Sequence, residues 1–439
     1  MSDPSGRPLF LTSQLGYDCT AGLVNYLDKP VDYDANVVKV HKNILLKDAG
    51  AVPFLKTNVP QTLMAFHCSN PIFGVTLHPQ NPHRTPGGSS GGEGALIASG
   101  GSPLGIGSDI GGSGRIPAHF CGIYSLKPTT NRISVKTTRE SLEGVQGIYA
   151  TLTPFARDVE TLVLFMRTLL TDRMFAMDPE VVPIPFNDAI FLSRQHLKIG
   201  FYTDDGFVTP TPGCQRAVTI AKNVLETAGH KLIPFAIPDP WTAFRLSTKL
   251  FTADGRDKDI VDEKMMLNYR IANLPSACKK FLSAVSRGVT PRGALCIGET
   301  GCSGLELWKL MNSRKKYLAL FISMWKEEQL DVVLAPGFSF PAPPHKYPEK
   351  LLPSCFVTVL YNLLNFPAGV VPVTTETEQD QAELESYRQD DLVFRLAKQA
   401  TRGAIDMPLG VQVVGLPWQE EKVLRIMNEL EGLLKRPMT

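Results

Sequence analysis

Between Gly87 and Ser113 the chain carries eleven glycines and six serines, in the run GGSSGGEGALIASGGSPLGIGSDIGGSGR that continues to Arg115. Simple packing does not call for that density. Glycine serves where the backbone must turn tightly or approach another group closely, so this segment must bring main-chain atoms close to something. Two glycine turns each present a serine, Ser89 and Ser113, 24 positions apart. Pro79 to Pro86 holds three prolines and no apolar run, which predicts a loop leading into the first turn. Glu93 to Ser99 (EGALIAS) is rich in helix formers and predicts a short helix after the double serine. Gly105 to Arg115 (GIGSDIGGSGR) reads as a second glycine-dense turn.

The rest of the chain can support such a segment. At 439 residues, 43% apolar and 20% charged, it can bury a large core and is too hydrophobic to remain disordered. The longest interruption of apolar patterning, Thr375 to Asp391, is short for an interdomain linker, which favours one large domain. The net charge of +2 comes from 45 basic and 43 acidic residues that are interleaved, with no stripe to track phosphates, so a nucleic-acid partner is not implied. The eight cysteines are scattered without a CxxC pair, which speaks for buried reduced thiols in a cytosol-facing, non-secreted protein and against a metal site. Met1 to Gln14 has neither a signal-peptide core nor a membrane span.

Periodicity predicts a helix then a short buried strand over Val37 to Phe54, strands at His196 to Phe201, Asp331 to Leu334 and Leu409 to Gly415, and helices at Pro212 to Ala228, Leu305 to Glu328 and Glu420 to Lys435. In the last of these, Val423, Ile426, Met427, Leu430 and Leu433 recur at helical spacing. Strands alternating with helices point to an α/β fold with a covered central sheet.

Three common chemistries are excluded by context. Gly87-Gly88-Ser89-Ser90-Gly91 matches G-x-S-x-G, but a nucleophile elbow tops a buried strand and HPQNPHRTP is no strand. GxxxxGK[ST] is absent, and the glycines at 105 and 107 lack the third of a dinucleotide fingerprint. Ser276 with Lys279 and Ser313 with Lys316 match S-x-x-K, a pattern of two common residues that arises by chance. One feature stands without any family: Ile110, Gly111, Gly112 and Ser113 supply four successive backbone donors that can converge on an oxyanion.

The paired serine turns resemble the amidase signature. The match extends through KTNVPQ (56–61), CSNPIFG (68–74), CGIYSLKPTTNRIS (121–134), YNLLNFPAGVVPVTT (361–375) and LPWQEE (416–421). The last two segments resemble the fatty-acid amide hydrolase branch of that family. The resemblance covers 16–439, leaves 1–15 unmatched, and implies a central mixed, twisted sheet covered by helices on both faces. It implies a serine amidase without metal or cofactor. Ser113 would be the nucleophile, and Ser89, in a cis-peptide turn, would pass its proton. Ile110, Gly111, Gly112, Ser113 and Leu63 would hold the carbonyl and substrate, with Met64, Phe66 and Trp418 along the acyl channel. Asp109 and Arg115 would brace the turn.

Two features depart from the family. The catalytic lysine falls by register on Leu9, in PLFLTSQL, so the amidase domain is expected to be N-terminally incomplete. Lys56 is the lysine nearest the motif on its upstream side, but its segment is structural in the family, and Lys42, Lys47 and Lys127 have less claim as a replacement. KNILL (42–46) also lengthens the first helix region. Leu274 to Leu295 corresponds to the family's membrane cap and mixes Phe281, Leu282 and Val285 with Lys279, Lys280, Arg287 and Arg292, which permits a basic amphipathic helix peripheral on internal membranes. A homodimer is compatible with the sequence. Three functions follow: hydrolysis of fatty-acid amides, silent binding of lipid amides, or hydrolysis of small polar amides.

Overall fold

The computed structural model describes residues 20, 22–23, 46, 49–136, 144–253, 274–297 and 301–435. Leu9, the 1–15 segment, Lys42, Lys47 and most of KNILL lie outside these residues.

An eight-stranded mixed sheet organises the molecule. Its strands are β1 (Leu104–Asp109), β2 (Tyr124–Lys127), β3 (Thr151–Ala156), β4 (Lys198–Phe201), β5 (Lys231–Pro234), β6 (Val332–Pro336), β7 (Ala368–Thr375) and β8 (Pro408–Gly415). They lie in the order β1-β3-β2-β7-β8-β6-β4-β5. β4 runs parallel to β5 and β6, and every other pairing is antiparallel. The helices used below are α1 (Gly91–Ala98), α2 (Arg115–Cys121), α3 (Val159–Leu169), α4 (Pro212–Thr227), α5 (Pro240–Phe251), α6 (Ser276–Ser286), α7 (Pro291–Ile297), α8 (Gly304–Glu327), α9 (Phe356–Leu363), α10 (Leu392–Thr401) and α11 (Glu420–Leu434).

Among the described residues two large apolar cores cover the sheet, with a smaller third around Ile97, Ala118, Ile123, Phe155 and Val370. One joins Val371, Leu409, Val411 and Val413 to α3, α4 and α11, the last through Val423, Ile426, Met427 and Leu430. The other is aromatic and joins Val414 to Phe120, Phe244, Phe321, Trp325, Phe338 and Phe356. Strand side chains alternate between faces, so in β8 the valines at 411 and 413 face the first core. Gln412 between them is carried to the other side, where it is fully buried.

Most elements follow the periodicity, and two sequence expectations are corrected. Gly105 to Asp109 is edge strand β1 rather than the start of a turn. Its glycines admit α1: a Cβ on Gly105 would lie 2.1 Å from Glu93 Oε1, and one on Gly107 2.3 Å from Ser90 Oγ. The expected strand before Phe54 is unpaired chain, with Val52 78% and Phe54 58% exposed; of the helix expected before it, Leu46 is described, helical and buried. In the cap region, α6 turns Lys279 and Ser283 inward and leaves Phe281, Leu282 and Val285 exposed. That is the reverse of an ordinary surface helix. Among the described residues no helix is long and apolar enough to cross a membrane.

Candidate active site

The two glycine turns meet at the open edge of the sheet. Ser90 N–H donates to Ser113 O (3.2 Å), and Ser108 N–H donates to Ser90 Oγ (3.1 Å). Ser89 follows a cis peptide bond from Gly88 and is buried. Ser113 closes the tight turn between the end of β1 and the start of α2.

Asp109 shapes that turn from within. Its Oδ1 accepts from Gly112 N–H (2.8 Å), and its Oδ2 accepts from Gly114 N–H (3.2 Å) and Arg115 N–H (3.3 Å). Arg115 completes the arrangement with Nε on Oδ2 and Nη2 on Oδ1, both at 3.0 Å, and both side chains are fully buried. Burial alone would raise the Asp109 pKa, but the guanidinium overcomes it and holds the carboxyl at about 2. Such a bidentate pair fixes geometry as well as charge.

One expectation is thereby revised. The four successive donors are three, because Gly112 N–H is engaged by Asp109. Among the described residues the N–H groups of Ile110, Gly111 and Ser113 have no acceptor, and these three residues line one cavity of about 160 Å³. Gly112 instead provides the conformation, with φ +118° and an ideal Cβ position 2.2 Å from Thr358 Oγ1. No other residue type fits there.

The cavity is walled by Leu63, Met64 and Phe66 from the 61–66 segment, by Phe244 and Phe251 of α5, by Cys296 and Ile297 of α7, and by Leu352, Cys355 and Val359 at and before α9. Gly88 and Ser113 also line it, as do Ser247, Thr248 and Thr252. Trp418, expected in the channel, does not line the cavity: it occupies the turn between β8 and α11 at φ +68°, with its backbone N–H donating to Thr129 Oγ1. A residue placed in the left-handed region of a turn is held by that turn rather than by the pocket. Lys127 is also committed elsewhere, since its buried ammonium donates to Pro128 O (2.9 Å). Lys56 is buried beside Thr57, whose hydroxyl donates to Glu93 Oε2 (2.7 Å).

Three contributors escaped the sequence reading. Thr358 donates to Gly111 O (2.8 Å), Asn362 donates to Asp109 Oδ1 (3.0 Å) and accepts from Arg115 Nη2 (2.6 Å), and Gln412 accepts from Arg115 Nη1 (2.8 Å). Their one sequence signal is a lone polar residue inside an apolar run, as in VTVLYNLL and GVQVVG. Among the described residues no cluster of three or more His, Cys, Asp or Glu is arranged to hold a metal.

This geometry has known relatives. The amidase family model matches residues 12–424. The chain belongs to the amidase signature family. Fatty-acid amide hydrolase 1 of Sus scrofa is 43% identical over 431 residues, 95% of this chain and 73% of that protein. Fatty acid amide hydrolase 1 of Caenorhabditis elegans is 39% identical over 439 residues, 97% of this chain and 76% of that one. A solved fatty acid amide hydrolase superposes with a TM-score of 0.78 at 26% identity, covering 98% of this chain and 72% of that one. This amidase is accordingly a hydrolase of amide C–N bonds.

Proposed function

We propose that this amidase hydrolyses fatty-acid amides through an acyl-Ser113 intermediate. The observation that carries the reading is the largely apolar cavity lined by Ser113 and by three N–H donors that are unengaged among the described residues. An amide carbonyl seated there places its oxygen toward Ile110, Gly111 and Ser113 N–H, where charge develops as Ser113 Oγ attacks. The Ser113 proton passes through Ser89 and returns to the leaving amine, the C–N bond breaks, and water then cleaves the acyl ester. Leu63, Met64 and Phe66 flank the acyl chain. Peripheral attachment at the cytoplasmic face of a membrane, through the outward apolar side of α6, would deliver such a substrate.

The test is labelling with a fluorophosphonate, followed by hydrolysis of oleamide and acetamide. Ser113 becomes labelled, Ser113→Ala is silent, and oleamide is preferred by at least a hundredfold in kcat/KM. An unlabelled Ser113 in a protein that binds oleamide identifies a silent binder, and equal rates on the two amides identify an amidase for small polar substrates.

A further inference from the structure

Resting on that reading of Ser113, we infer that Asn362, Gln412 and Thr358 are positioning residues that aim the oxyanion donors from the far half of the chain. The donors Ile110, Gly111 and Ser113 lie in a turn without regular hydrogen bonding of its own, so their direction depends on what anchors the turn. Asp109 anchors it from inside through Gly112 and Gly114 N–H. Asp109 in turn is held by Arg115, and Arg115 extends beyond the turn to two neutral amides. Nη2 donates to Asn362 Oδ1 and Nη1 to Gln412 Oε1. The partners are 247 and 297 residues away in sequence, on α9 and β8.

Each amide is itself immobilised. Asn362 returns a hydrogen bond to Asp109 Oδ1 (3.0 Å), so acid, base and amide form a closed ring. Gln412 uses its Nε2 on Pro336 O (2.8 Å) and Val357 O (3.2 Å), tying the ring to β6 and to the residue before Thr358. Thr358 Oγ1 completes the hold: of the two carbonyls its single O–H can reach, Gly111 O (2.8 Å) is nearer than Cys355 O (3.0 Å), and donation to it sets the plane of the Gly111–Gly112 peptide. All five side chains are buried, and none of Asn362, Gln412 or Thr358 lines the cavity. Their influence on the reaction runs through the turn.

Neutral amides suit this position for an electrostatic reason. Asp109 and Arg115 balance each other, and a further carboxylate would leave one unpaired charge in a buried ring. An amide offers an acceptor to the guanidinium and a donor to the carboxylate at once. Asn362→Asp keeps the acceptor, removes the donor and places a second acid beside Asp109.

The experiment measures fluorophosphonate labelling of Ser113 as kinact and KI, with thermal melting alongside, for the parent, Asn362→Asp, Gln412→Glu and Thr358→Val. Each variant is expected to lose ten- to a hundredfold in kinact with KI within twofold, below the hundred- to thousandfold cost of deleting a donor outright. The Asn362→Asp deficit relative to the parent shrinks as pH falls, because the new carboxyl regains an O–H donor on protonation; burial and Asp109 raise its pKa, against the lowering by Arg115, already paired with Asp109, and by Lys127, which faces Asp109 and is itself lowered to about 7 by burial. If Asn362→Asp does not fold, Thr358→Val, which removes one donor at nearly constant shape, carries the same test. Parental kinact in the folded variants, a KI that rises with the loss, or a deficit independent of pH overturns the positioning role alone. An unlabelled parent overturns the nucleophile reading and the positioning role with it.

Discussion

Gly112 shows how one residue without a side chain can govern the site. Its φ of +118° is reached readily by glycine alone, and a methyl group there would meet Thr358 Oγ1 at 2.2 Å, with Ile116 Cδ1 at 2.9 Å. Gly112→Ala must move either Thr358, which pins Gly111 O, or the turn, which carries Ser113. We expect it to cost about 1–3 kcal/mol of stability from backbone strain and to slow Ser113 labelling at least a hundredfold. Melting and labelling measured on one preparation check both, and a folded variant labelled at the parental rate refutes the assignment. Ser113, Asp109 and Arg115 were legible because they sit within seven consecutive positions of one motif. Asn362 and Gln412 were not, since nothing local distinguishes a buried amide that supports a site from one that satisfies a backbone carbonyl. Trp418 was misplaced because motif membership says nothing about which way a turn points its side chain.

At the level of elements, periodicity found the helices and strands that bury a continuous stripe and missed those whose glycines serve a neighbour. β1 reads as a turn because its composition answers to α1 packed across it, and that information lies in Glu93 and Ser90. α2 shows a related dependence on distant chain. Its His119 is fully buried, with Nδ1 accepting from Gly410 N–H (3.1 Å) and Nε2 donating to Phe340 O (3.2 Å), so the helix is joined to β8 and to the chain after β6 by a neutral ring. Burial lowers its pKa from 6.5 to about 4. The unfolded chain therefore binds a proton between those values that the fold refuses, and stability present above pH 6.5 is lost as pH falls toward 4. The loss amounts to ~3 kcal/mol. His119→Gln, which offers a donor and an acceptor but does not titrate, should flatten that part of the stability curve measured by urea denaturation. An unchanged slope between pH 4 and 6.5 would assign the effect to another group, of which His67, also lowered to about 4 mainly by burial, is the first to test.

Across the whole molecule, α7 lines the cavity and α6 packs against α7. α7 places Cys296 and Ile297 in the cavity wall and is anchored by Arg292, which pairs with Asp391 (3.0 Å) and lies over the rings of Trp241 and Phe394 at 4.9 and 4.4 Å. α6 packs on it through Ser283, whose hydroxyl donates to Ala294 O (2.9 Å). With the polar face of α6 used inward, Phe281 (72% exposed) and Val285 (61%) point to solvent, flanked by exposed Lys280 and Arg287. Removing apolar area from water gains roughly 25 cal/mol per Å², and cations beside it add attraction to anionic headgroups that salt screens. Co-sedimentation with vesicles of phosphatidylcholine and phosphatidylserine is therefore expected. Raising salt should weaken it only in part, and Phe281→Asp with Val285→Asp should weaken it at least tenfold without changing Ser113 labelling in detergent. Leu164→Asp, at an exposed apolar position on α3 (63%), supplies the control for a general change in surface polarity. Equal losses from the α6 pair and from Leu164→Asp would sink the membrane role of this face.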